Sequence, residues 1–138
     1  MKLLLFDIDG TILWTDGAGR RAIHRALIDV AGGPGMVEGY RLDGKTDPQI
    51  VRELLALAGH ADAERADRVA AVCERYVEFL AAELERPGAA TRLLPGVGEL
   101  LDALVAAEER GDALVGLLTG NVVNRASTRA TPSPARTS

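Results

Sequence analysis

The chain is poor in cysteine and lysine, and it has neither a long apolar run nor a block of basic residues; each shortage removes a class of protein. One cysteine, Cys73, among 138 residues excludes a disulfide framework, and its place in an apolar stripe at helical spacing reads as a buried thiol. Lys2 followed by four apolar residues is too short for a secretory leader before Asp7 and Asp9 interrupt it, and nothing approaches a membrane span. A net charge of -4 with the basic residues dispersed gives no footprint for nucleic acid. The expectation is a cytoplasmic protein with neither membrane nor nucleic acid as partner. Arginine outnumbers lysine 14 to 2, so only Lys2 and Lys45 can serve where a lysine is required. There is no internal repeat, and His24 and His60 lack second ligands at metal-binding spacing, which reads them as surface or packing residues.

Against these absences stands the segment Leu3-Leu4-Leu5-Phe6-Asp7-Ile8-Asp9-Gly10-Thr11, an apolar run that stops at two aspartates one residue apart. Residues 2 to 6 read as a parallel strand buried on both faces, and open α/β sheets place their chemistry at the C-terminal ends of such strands. Alternation puts Asp7 and Asp9 on one side, Gly10 allows a turn and Thr11 offers a hydroxyl.

A helix is predicted over residues 18 to 31, with Asp16 as cap, Ile23, Leu27 and Val30 on one face, and Gly32-Gly33-Pro34-Gly35 as its end; the stretch to Tyr40 reads as loop. Asp47-Pro48 marks a second helix, with the aspartate able to cap it and Ile50, Val51, Leu54 and Leu55 as its apolar face before Gly59. A third begins near Asp62, carries the stripe Val69, Val72, Cys73, Tyr76, Leu80 and Leu84, and closes at Pro87-Gly88. The pattern then returns to a helix through Val97, Leu100, Leu101, Leu104 and Val105 ending at Gly111, and a strand from Ala113 to Leu118 leading into Thr119-Gly120-Asn121. Residues 1–15 and 89–124 therefore read as a partial α/β core, residues 16–88 as a helical insertion, and residues 125–138 as a disordered tail, since Arg, Ala, Ser, Thr and Pro alone cannot bury enough apolar surface to order it.

Hydrolysis of a phosphate ester through a covalent intermediate needs a nucleophile, a proton donor for the departing oxygen, and a cation against the crowded negative charge. Asp7 and Asp9 can meet the first two needs and together offer oxygen ligands to magnesium, while the Thr119 hydroxyl and the backbone N–H groups beside it could grip phosphoryl oxygens. Alone, an Asp-Gly pair is an ordinary turn former and Thr-Gly-Asn a capping turn. The first motif is not a calcium loop, because Ile12 stands where such a loop needs glycine. In order, each at the end of an apolar strand, the two motifs point to one site.

The pair resembles the haloacid dehalogenase-like (HAD) hydrolase superfamily, with Asp7-Ile8-Asp9-Gly10-Thr11 matching its first motif and Thr119 its second. Residues 16–88 are similar to the helical cap of its phosphoglycolate phosphatase and phosphomutase type. The resemblance implies a Rossmann-like α/β core, incomplete here, and Mg2+-dependent hydrolysis of a small phosphorylated metabolite. It makes Asp7 the nucleophile, Asp9 the acid and base, Asp7 and Asp9 the metal ligands, and Gly10, Thr11, Thr119, Gly120 and Asn121 the phosphate-binding residues. Asp43-Gly44-Lys45-Thr46-Asp47 resembles the cap loop that contacts substrate, which assigns Lys45 and Thr46 to the leaving group; the alternative is that Asp47 caps a helix and Lys45 is solvated.

The resemblance runs to about residue 124. The family's later motifs supply a basic residue and further metal acids, whereas no Lys, Asp or Glu follows Asp112, although Arg125 and Arg129 could imitate the basic residue. The change of composition after Asn121 predicts a truncated or frameshifted chain whose uncovered core favours self-association. Two readings follow: a phosphatase, or a catalytically silent remnant that binds phosphate or a partner chain.

Overall fold

A computed structural model describes residues 1–33, 35 and 38–121 of the chain. The predicted tail of residues 125–138, Arg125 and Arg129 among them, lies outside these residues. The elements run β1 (Lys2–Phe6), β2 (Leu13–Trp14), α1 (Ala18–Ala31), α2 (Asp47–Leu57), α3 (Ala66–Glu85), β3 (Arg92–Leu93), α4 (Val97–Glu109) and β4 (Ala113–Leu117).

β1 and β4 pair in parallel, from Lys2 opposite Ala113 to Phe6 opposite Leu117. Strands this far apart in sequence meet in parallel because a helix, α4, returns the chain before β4, the arrangement that parallel pairing requires. With four helices and this parallel pair, the fold is mixed α/β and consistent with part of a Rossmann-like core. β2 and β3 form a second, antiparallel pair of two residues each, Leu13 opposite Leu93 and Trp14 opposite Arg92. They set the chain's entry into the helical segment beside its exit, and the Leu94 N–H extends the contact to the Ile12 carbonyl at 3.0 Å.

The hydrophobic core belongs to the helices. Ala22, Ile23, Ala26 and Leu27 of α1, Ile50, Val51, Leu54 and Leu55 of α2, and Val69, Val72, Cys73 and Tyr76 of α3 form one buried cluster, the apolar positions recurring at three- and four-residue steps. No residue of β1 or β4 belongs to it. The strand expected to be buried on both faces is therefore corrected: Leu3 and Leu5 are exposed, while Leu4 and Phe6 are half-buried. α4 packs on one side of the sheet only, burying Val97, Leu104 and Ala113 and leaving Leu117 open.

Several boundaries also move. α1 is entered through Gly17 in the left-handed region, with no side-chain cap, so Asp16 does not cap it; Asp16 itself takes a left-handed φ of 50°. Gly32 ends α1 as expected, its φ of 68° lying where a glycine meets no steric penalty. The cap of α2 is Thr46, whose hydroxyl accepts from the Gln49 N–H at 3.4 Å, and Asp47 begins the helix proper. α3 starts at Ala66 rather than near Asp62, because Asp62 is used in a turn with the Arg65 N–H. Among the described residues no helix is long and apolar enough to cross a membrane.

Candidate active site

β1 delivers Asp7 to the C-terminal edge of the sheet, and the chain then folds back on itself. The Ile8 carbonyl accepts from the N–H groups of Thr11, Ile12 and Leu13 at 3.3, 2.9 and 3.0 Å, and the Gly10 N–H donates to the Leu13 carbonyl at 2.9 Å. Gly10 holds φ at 74°, a conformation that a side chain would strain. This knot fixes the backbone of the aspartates while both carboxylates stay exposed. Asp7 Oδ1 accepts from the Ile8 N–H at 2.9 Å. Thr11 is also exposed.

β4 ends beside the same edge. The Leu118 N–H reaches the Phe6 carbonyl at 2.8 Å, so Thr119 follows the pairing just as Asp7 does. Asn121 joins the two motifs directly, its Nδ2 donating to Asp9 Oδ2 at 2.7 Å across 112 residues of sequence. The Asn121 N–H in turn donates to Thr119 Oγ1 at 3.2 Å, which ties the threonine hydroxyl to the same turn.

A third segment closes over this pair. The Asp47 N–H donates to the Gly120 carbonyl at 3.0 Å, and a Cβ on Gly120 would lie 2.6 Å from the Lys45 carbonyl oxygen and 3.1 Å from Thr46 Cα. Only glycine permits that approach. The loop at residues 45–47 thus rests backbone to backbone on the second motif, and Asp47, 5% exposed, is buried there. Tyr76 of α3 lies close enough for the charges of Asp47 and Asp9 to add to the effect of burial, and all three push its hydroxyl to titrate well above the usual tyrosine range. Burial, with a smaller contribution from Asp47, pushes the Cys73 thiol up to about 11, so it stays protonated and inert at neutral pH.

Lys45 is not simply solvated. Its Nζ donates to Glu53 Oε2 at 2.6 Å and to the Tyr40 hydroxyl at 3.1 Å and sits 4.4 Å from the centre of the Tyr40 ring. The Tyr40 hydroxyl donates to the same Glu53 oxygen at 2.7 Å and Gln49 Nε2 to the other at 2.8 Å. These donors, Lys45 first, hold the Glu53 carboxyl down at about 2. The sequence reading missed Tyr40, Gln49 and Glu53; the one available signal was the i, i+4 spacing of Gln49 and Glu53 on a helix that starts two residues after Lys45.

The structure therefore brings together Asp9, Thr119, Gly120, Asn121 and the backbone of Lys45, Thr46 and Asp47, with Asp7 on the adjoining strand end. It turns the Lys45 ammonium into a local cluster instead. Neither histidine joins the site: the His24 ring packs under Gly35 and His60 lies against Gly33. A groove lined by Arg20, Arg21, His24, Arg25 and Glu83 lies elsewhere, on the helical segment.

Among solved structures, the chain is similar to the crystal structure of a predicted phosphoglycolate phosphatase from Haemophilus somnus 129PT, with a TM-score of 0.58 and 25% identity, covering 86% of this chain and 51% of that one. The chain spans about half the length of that protein. No protein-family model matches the sequence, and no curated protein matches it.

Proposed function

We propose that the chain carries the phosphoryl-transfer site of a HAD-type, magnesium-dependent phosphatase acting on a small phosphomonoester. The observation that carries this reading is the 2.7 Å bond from Asn121 to Asp9, which joins two motifs otherwise linked only by their order in the sequence. The likeness to a predicted phosphoglycolate phosphatase supports it.

In this reading an Asp7 carboxylate oxygen attacks phosphorus, the bond to the leaving oxygen breaks, and Asp9 delivers its proton to that oxygen. Asp9, now a carboxylate, takes a proton from the water that attacks the aspartyl phosphate, which releases inorganic phosphate and restores Asp7. Asn121 holds one Asp9 oxygen and leaves the other for proton transfer. The Thr119 hydroxyl and the Gly120 N–H would grip the transferring group, with Gly10 and Thr11 from the first motif. The loop at Lys45 and Thr46 forms the wall toward the leaving group and excludes water.

The donor chemistry suits magnesium. Asp7 and Asp9 are exposed carboxylates at one edge, and Asp7 has an oxygen without a hydrogen bond among the described residues. Magnesium is commonly held by one or two carboxylates, with water and substrate phosphate completing its shell. Asp7 through a carboxylate oxygen, and Asp9 through an oxygen other than the one that carries the transferred proton, would hold the ion. When bound, the ion would offset the negative charge that gathers on the transferring phosphoryl group.

The test is hydrolysis of p-nitrophenyl phosphate by the purified chain with and without Mg2+, beside Asp7→Asn. Activity that needs the metal and falls by at least ~10³-fold in the variant is expected. Activity absent from both proteins would leave the second reading, a silent remnant that binds phosphate or a partner chain.

A further inference from the structure

We infer that Glu83 is a positioning residue: through Arg21 it fixes the joint between the sheet and the helical segment, and thereby holds the loop at residues 45–47 against the second motif. Among the described residues only two charged side chains are buried, Asp47 and Glu83. Asp47 belongs to the site, whereas Glu83, near the end of α3, has no part in it. Its carboxylate gathers three guanidinium groups instead, Arg21 at 2.7 Å, Arg25 at 3.6 Å and Arg86 at 3.8 Å. A buried ion pair gains little net stability once its desolvation is counted, and its best-attested use is to select one arrangement over others.

Two of these arginines lie where the chain crosses between the sheet and the helices. Arg21 Nη1 donates to the Asp16 carbonyl at 2.6 Å while its Nε donates to Glu83 Oε2 at 2.7 Å, so one guanidinium spans both. Asp16 and Gly17 form the outgoing joint just after β2, and both are left-handed, with φ of 50° and 75°. Asp16 is the one non-glycine residue at positive φ among the described residues, and a conformation so unusual for a residue with a Cβ has to be held from outside. Arg21 supplies the hold: a Cβ on Gly17 would lie 3.4 Å from Nη1, which puts the guanidinium over the joint itself. Arg86 is the C-cap of α3, where the chain starts back toward β3. Glu83 therefore ties the way in to the way out. The consequence reaches the site because α1, α2 and α3 share one core, so a turn at the joint carries α2 with it. The Asp47 N–H at the head of α2 meets the Gly120 carbonyl at 3.0 Å, and a hydrogen bond fails within about half an ångström beyond that.

The inference concerns how the loop is held and stands whether or not the site hydrolyses phosphate esters. Amide hydrogen exchange of the full chain, read residue by residue by NMR, tests it. In Glu83→Gln the Asp47 amide should exchange at least ~10-fold faster, while the amides of Leu54 and Val72 in the helical core change by less than ~2-fold. Arg75→Met, which breaks the ion pair of Arg75 with Asp29 between the same two helices, should leave the Asp47 amide as it is. An Asp47 amide unchanged in Glu83→Gln, core amides accelerated by the same factor, or an equal effect of Arg75→Met would each overturn the proposal. Should Glu83→Gln fail to fold, Arg21→Met decides, since Arg25 and Arg86 still neutralise Glu83 in it. The Asp47 amide should again be the one that opens, and an amide as protected as in the wild type would overturn the proposal.

Discussion

Gly120 is where the absence of a side chain matters most. Its would-be Cβ meets backbone, the Lys45 carbonyl oxygen at 2.6 Å, rather than a flexible side chain that could swing aside. Gly120→Ala is therefore expected to push the loop at residues 45–47 off the second motif and to destabilise the chain by about 1–3 kcal/mol. Urea unfolding checks the magnitude, and amide exchange of Asp47, whose N–H donates to the Gly120 carbonyl, checks the cause. An Asp47 amide equally protected in the variant would show that the contact does not form. That the two motifs meet was legible in their order and their places at strand ends, but the particular bond between Asp9 and Asn121, 112 positions apart, was not, because it depends on the register in which β1 pairs with β4. Gly120 read as part of a phosphate-binding turn, and nothing in the sequence says which backbone will approach it.

At the scale of the element, boundaries followed wherever one residue type had a single use. The apolar run of β1 stops at Asp7, and α1 stops at Gly32, where a left-handed turn is needed. They slipped where two neighbours offered the same chemistry. Thr46 and Asp47 can both cap a helix, and the threonine does so while the aspartate is drawn inward as the first helical residue. β2 and β3, two residues each, are too short to show any period. The start of α2 also carries the Lys45 cluster, and this gives a dependence on pH. Glu53 falls from its ordinary 4.5 to about 2 because Lys45, Tyr40 and Gln49 donate to it. Since the folded value lies below the unfolded one, the cluster's contribution to stability is whole above about 4.5 and fades as the pH falls through about 2. A carbon-detected titration of the Glu53 carboxyl should find its midpoint near 2, and Lys45→Met should return it toward 4.5. A midpoint unmoved by that substitution would mean that the ammonium is not the cause.

For the whole molecule, the apolar burial and the candidate chemistry lie in different places. The helices own the core, whereas the strands that carry Asp7 and Thr119 rest on α4 and on each other. The sequence led to the opposite expectation for β1 because a continuous apolar run is what a strand covered on both faces shows, and a run of leucines cannot reveal how much of its cover is present. The same chemical change should then have unequal effects. Leu54→Ala removes a fully buried side chain from the centre of the helical cluster and should destabilise the chain by about 2–5 kcal/mol. Leu5→Ala removes a side chain already half in water, which loses little transfer free energy and opens no closed cavity, so it should cost less than about 1 kcal/mol. Urea denaturation followed by far-ultraviolet circular dichroism, at concentrations dilute enough to keep the chain monomeric, compares the two directly. If Leu5→Ala proves as damaging as Leu54→Ala under those conditions, the sheet face must be covered within a single copy, and the placement of the core in the helices would fall.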